Sequence, residues 1–167
     1  MNIIEIILCV SLLGFGSSQN NGWKGIVPLH STRVDVERLL GPALSQCRCD
    51  YKTETENLFV LYSAERCAKG VPKVWNVPRD TVISIIVTPK EEPKLSDLGI
   101  DLKKFTKVED PELRGHFTYT NLEEGVTYSI SDDGVVTGIE WFPARKDNCL
   151  RCPETTPPSE RRNPISQ

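Results

Sequence analysis

Thr81-Val-Ile-Ser-Ile-Ile-Val-Thr88, closed by Pro89, constrains the fold of this chain more than any other stretch. Every residue in it except Ser84 is β-branched, so it reads as a strand, and Pro89 ends it because proline has no N–H to give a ladder. It has no polar–apolar alternation, the pattern of a central strand covered on both faces. The rest of the chain must therefore supply neighbouring strands and two layers of cover.

Upstream, Leu29 to Pro42 is a short helix with both ends written in. Ser31 and Thr32 are N-cap residues, Thr32 with Asp35 makes an imperfect capping box, and Gly41-Pro42 stops the helix after Leu40. Val36, Leu39 and Leu40 form one apolar stripe, and a helix this short must lie on something to persist in water. Next, Cys47 to Thr53 alternates as a strand with one wet face, Glu54 to Asn57 turns the chain, and Leu58 to Ser63 returns as its hairpin partner. A long connection, Ala64 to Arg79, leads into the Thr81 strand. After the polar break Glu91 to Lys94, Leu95, Leu98, Leu102 and Phe105 recur at helical spacing around a weakening Gly99. Three alternating segments follow, Gly115–Thr120, Val126–Ile130 and Val135–Phe142, with Ser131-Asp-Asp-Gly134 as a tight turn between the last two.

This order implies an α+β fold, short helices packed on an antiparallel sheet. Residues 26–90 and 95–144 each read as a helix followed by strands that end at a proline, Pro89 or Pro143. That repetition suggests two tandem helix-plus-strands units. One irregular α+β domain accommodates the same order.

The ends point to a compartment. Residues 1–19 have the apolar run and small polar exit of a secretory signal peptide, too short for a membrane span, although the leading segment carries Glu5 and no Lys or Arg. No small residue precedes Cys9, which disfavours lipid attachment there. Residues 153–167 hold four prolines and one aliphatic side chain, too little to offset ordering entropy, so a disordered tail is expected. A secreted or periplasmic protein with no transmembrane segment in the mature chain is the implied product. The full chain carries 20 basic and 23 acidic residues, net −3, which becomes −2 when Glu5 leaves with the signal. Such near-neutrality gives no reason to expect nucleic acid as a partner.

The helix region resembles a motif of small bacterial outer-membrane lipoproteins of the SmpA/OmlA type, components of the β-barrel assembly machinery. Thr32, Val36, Leu39, Leu40 and Gly41 match that motif in register, while Pro42 sits one place early, Ala43 takes the proline position and His30 replaces the usual glycine. The resemblance implies a helix-then-antiparallel-sheet fold, related to that of the secreted β-lactamase inhibitor proteins, which are tandem repeats of such units. Fold likeness does not carry function.

Catalytic chemistry finds little footing. No Gly-x-Ser-x-Gly or comparable nucleophile elbow accompanies the two histidines, His30 and His116, and Asp132 and Asp133 are what a turn needs for its own backbone. No phosphate loop or dinucleotide fingerprint occurs, and no cofactor is implied. Cys149 and Cys152 have C-x-x-C spacing but open no helix after a strand, which favours a structural disulfide over redox chemistry. Cys47, Cys49, Cys149 and Cys152 as a four-thiolate zinc site is the remaining alternative, disfavoured by an oxidising compartment. With the hairpin turn placed near Asn57, Cys47 falls opposite Cys67, so bridges Cys47–Cys67 and Cys149–Cys152 are expected, with Cys49 left over. Trp75, in a proline-containing loop, is a possible partner contact, against the competing reading that it packs over the sheet; Trp141, alternating with Ile139, belongs to the core. The functional expectation is a non-enzymatic, exported interaction module of the cell envelope whose partner is another envelope protein. The alternative is a small thiol redox or metal-binding protein using Cys149 and Cys152.

Overall fold

The computed structural model describes residues 22–45, 49–67 and 74–153. The signal segment, Cys47 and all of the expected tail beyond Pro153 lie outside the described residues. One α-helix, α1 (Arg33–Leu40), precedes β1 (Asp50–Lys52), β2 (Glu56–Tyr62) and β3 (Val82–Pro89); β4 (Thr106–Glu109), β5 (Phe117–Asn121), β6 (Val126–Ile130) and β7 (Val136–Trp141) follow. The seven strands form one sheet in the order β1-β2-β3-β7-β6-β5-β4, with every neighbouring pair antiparallel. Two up-and-down runs, β1 to β3 and β4 to β7, thus meet through their last strands, β3 and β7.

Residues 81–88 take the expected central position between β2 and β7, but the expected cover on both faces is incomplete, since Ile86 is 39 % exposed. Val82, Ile85 and Val87 join a cluster with Trp23, Ile26, Val36, Tyr51, Leu58 and Val60, which places the N-terminal segment and α1 over one face. Ile83 packs instead against Leu29, Trp75 and Val77, with Leu150 closing the second cluster. A bulge makes both possible. The β2–β3 register slips between Leu61 and Tyr62, so Tyr62 pairs Val82 while Leu61 pairs Ser84, and Ile83 is turned to the opposite face.

At the start of α1 the Asp35 carboxylate accepts from the Thr32 backbone N–H at 2.8 Å and from the Thr32 hydroxyl at 2.7 Å. Gly41, at φ 80°, ends the helix as expected. The apolar stripe is narrower than its sequence suggests, because α1 buries Val36 and part of Leu40 but leaves Leu39 49 % exposed. Arg33 fixes the helix to the sheet: its guanidinium pairs with Asp80 at 3.0 Å and lies 3.9 Å from the Tyr62 ring centroid.

The second helix does not form. Residues 95–105 contain two 3-10 turns, Leu95–Leu98 and Leu102–Lys104, separated by left-handed Gly99 and by an extended Asp101 that caps the second turn through the Lys103 N–H. Two such interruptions in eleven residues leave no run long enough for an α-helix. The fold is consequently mostly sheet, with helices less prominent than the sequence suggested. The hairpin at Ser131–Gly134 does form, with Gly134 at φ 82° and its N–H bonded to the Ser131 carbonyl.

The cysteine pairing also differs from expectation. In the β1–β2 hairpin Asp50 pairs Phe59 and Lys52 pairs Asn57, so the turn spans Thr53–Glu56 and is closed by the Thr53 hydroxyl accepting the Glu56 N–H. Asn57 already belongs to the strand, and Val60 rather than a cysteine donates to the Cys49 carbonyl. The register that brought Cys47 opposite Cys67 therefore fails. Cys67 is joined to Cys152, 85 positions away, and Cys149 is an exposed free thiol, so neither expected bridge, Cys47–Cys67 or Cys149–Cys152, is present. The C-terminal strand-following segment reaches back across the molecule because a 3-10 helix at Arg145–Leu150 carries Arg151 into a bridge with Trp75.

Candidate functional site

Trp75, expected as a possible exposed anchor, is buried in the second cluster, with the Arg151 guanidinium 4.7 Å from its ring centroid. It serves packing beside the disulfide. The histidines are apart. His30 bonds through Nε2 to Asp147 at 3.2 Å, while Asp147 also accepts the Ala144 N–H, so the pair ties the chain before α1 to the last 3-10 helix. The neighbouring Ser31 hydroxyl faces the Val27 N–H, not the imidazole, and no nucleophile–base pair results. His116 keeps its Nδ1 buried without a partner among the described residues. Asp133 is a turn residue, its carboxyl held below the ordinary carboxylate value chiefly by the Ser131 hydroxyl. Cys152, engaged with Cys67, is not available as a thiolate for the four-cysteine zinc arrangement.

The feature that sequence reasoning missed is a cleft of about 380 Å³ between the two 3-10 turns and the second half of the sheet. Leu98, Gly99 and Ile100 form one lip. Phe105, Tyr128 and Trp141 supply aromatic walls, and Asp101, Glu124 and Lys104 supply charge. Phe105 and Tyr128 meet at 5.6 Å between ring centroids with planes inclined by 57°. Burial, and secondarily the Glu124 carboxylate, raise the Tyr128 hydroxyl above its usual pKa, so it is a neutral donor at physiological pH. Lys104 and Glu124 approach only to 3.8 Å. Two carboxylates against one ammonium leave the cleft with a net negative charge.

Strand register explains why this face is open. A single row of paired residues crosses all seven strands: Tyr51, Leu58, Val87, Ile139, Tyr128, Tyr119, Lys107. Tyr51, Leu58 and Val87 are buried in the cluster that contains Trp23, Ile26 and Val36 of α1. Ile139, Tyr128 and Tyr119 are only half-buried, and Lys107 is exposed. Where the first half has an α-helix as cover, the second has two short turns and a cleft. The alternation of Val126 with Tyr128, and of Ile139 with Trp141, was visible in the sequence; the failure of the second helix, which uncovers these residues, was not.

Among the described residues no helix is long and apolar enough to cross a membrane. No family model, curated protein or solved structure matches the chain.

Proposed function

We propose that this chain is an exported, non-enzymatic protein-interaction module of the cell envelope, and that it receives a basic side chain of its protein partner in the aromatic cleft. The observation that carries this reading is the loss of cover along the Tyr51–Lys107 row, which leaves three aromatic walls and an acidic excess open to a ligand. Aromatic faces attract cations through the ring quadrupole, by about 0.5–2 kcal/mol according to desolvation, and Glu124 adds a direct charge partner. The Cys67–Cys152 disulfide is compatible with an oxidising compartment.

The test is a fluorescence titration of the disulfide-intact protein with hexalysine and with its fully Nε-acetylated form. Hexalysine is expected to shift the Trp141 emission, the acetylated peptide is not, and Glu124→Gln should weaken hexalysine about five- to tenfold. Equal binding of both peptides, or no effect of Glu124→Gln, refutes the reading.

A second reading rests on Cys149, an exposed thiol three positions from a disulfide sulfur. Attack of the Cys149 thiolate on the Cys152 sulfur would form Cys149–Cys152 and release Cys67 as a thiolate that takes up a proton. Cys149→Ser separates the two, since it abolishes such exchange and leaves peptide binding intact.

A further inference from the structure

β4 ends the sheet, paired with β5 on one side and with no strand on the other among the described residues, and all four of its residues are exposed. Its ladder continues into Asp110, whose N–H donates to the His116 carbonyl at 2.8 Å. Because N–H and C=O groups alternate in direction along an antiparallel strand, Thr106, Val108 and Asp110 point theirs at β5, and Lys107 and Glu109 point theirs out from the open edge. Two residues thus present two donors and two acceptors to a new strand.

We propose that β4 pairs with β4 of a second copy of this chain, antiparallel, about a twofold axis midway between the two Val108 residues. Only three registers can bring outward-facing residues together. Lys107 opposite its own copy, or Glu109 opposite its own copy, sets like charges face to face and engages one residue per strand. Lys107 opposite Glu109 engages both residues of each strand, makes four backbone hydrogen bonds and puts opposite charges together twice. Val108, 55 % exposed, then meets Val108 of the second copy at the closer, non-hydrogen-bonded spacing.

Lysine on an edge strand ordinarily guards against pairing by projecting charge outward. Here the Lys107 ammonium is drawn back onto the sheet face, 3.7 Å from the Phe117 ring centroid and 5.5 Å from that of Tyr119, so the edge itself is left open. Leu102 and Leu113, exposed by 40 and 56 %, flank the strand in the chain and add apolar surface beside a short ladder. Lys107, Val108 and Glu109 are not cleft residues, so this inference stands or falls separately from peptide binding.

Sedimentation equilibrium of the disulfide-intact protein, from about 10 μM to about 1 mM, tests it. The wild type is expected to show a monomer–dimer equilibrium. Lys107→Glu and Glu109→Lys should each be monomeric, and an equimolar mixture of the two should dimerise, because each mixed pair is again Glu with Lys. Lys107→Pro removes an outward N–H that β5 does not use, and should be monomeric alone and in every mixture, with its far-ultraviolet circular dichroism and thermal midpoint confirming that it folds. A wild type that stays monomeric throughout, single charge variants that dimerise as well as wild type, or a mixture that remains monomeric would each overturn the proposal.

Discussion

Opening the Cys67–Cys152 bridge should cost a large part of this protein's stability. The two cysteines are 85 positions apart, and in the chain-entropy model a crosslink closing a loop of that length removes unfolded-state freedom equivalent to about 4–5 kcal/mol. A domain of this size is stable by only about 5–15 kcal/mol in total. The bridge also holds together the segments that enclose the second cluster, Leu29, Trp75, Val77, Ile83 and Leu150. The perturbation is Cys67→Ala with Cys152→Ala, compared with the oxidised wild type by urea unfolding followed through tryptophan fluorescence. The expected loss is about 4 kcal/mol, or about 10–20 °C in thermal midpoint. Cys149→Ser serves as control and should leave the midpoint unchanged, since Cys149 contributes no crosslink. A loss below about 1 kcal/mol would refute the loop-closure reasoning. A peptide map of the non-reduced protein joining Cys149 to Cys152, with alkylated Cys67, would refute the pairing itself.

Gly125→Ala should destabilise by about 2–3 kcal/mol in the same assay, because Gly125 lies at φ 66° and a Cβ there would meet the Phe142 carbonyl oxygen and the Ala144 backbone just after β7, so that this backbone would have to shift. Arg33→Lys should cost about 1–2 kcal/mol, since lysine keeps the charge but not the planar fork that engages Asp80 while stacking on Tyr62; a loss as large for Asp80→Asn alone would place the effect in the ion pair rather than the stack. The Asp35 carboxyl is held below its usual value of 3.8 by the Thr32 hydroxyl and N–H. Its stabilising contribution is therefore complete above that pH and is lost as pH falls below it, so Asp35→Asn should flatten part of the acid limb of a stability–pH curve. The Tyr62 hydroxyl is pushed above its usual 10.0 by burial and by its bond to the Tyr51 hydroxyl. That contribution is complete below pH 10 and declines as pH rises beyond it, and Tyr62→Phe should make the alkaline limb shallower.

What could be read from the residues was whatever depended on neighbours in sequence. Gly41 and Pro42 ended α1 where expected, and the turn at Ser131–Gly134 set the β6–β7 hairpin, because a left-handed glycine or a missing donor acts within one or two residues. Thr81–Thr88 was legible as a central strand because β-branching and the lack of polar–apolar alternation are intrinsic to the segment. Three features depended on context and were missed. The helical spacing of Leu95 to Phe105 was real, but Gly99 and Asp101 divided it, and periodicity alone does not weigh such breaks. The Cys47–Cys67 bridge rested on a turn misplaced by a few residues, and any slip in register changes every cross-strand partner. The cleft follows from the first of these errors. It arises where a missing helix leaves Tyr128 and Trp141 half-covered, a three-dimensional consequence that no single stretch encodes.

The meeting of β3 with β7 at the middle of the sheet also sets the order in which this molecule can assemble. Within each up-and-down run the strands are near neighbours in the chain and can zip by short-range closure, whereas joining Ile85 to Trp141 must close more than fifty residues at once. The slow step should therefore be the docking of two preformed meanders, with their inner edges exposed until it occurs. Cys67 lies in the β2–β3 connection of the first meander and Cys152 follows the second. The native crosslink can close only after that docking, and until then the Cys67 thiol is available to the wrong partner. A chain arriving unfolded in an oxidising compartment would then reach its native state at a rate governed by thiol reshuffling, and a disulfide isomerase would accelerate it more than a prolyl isomerase would.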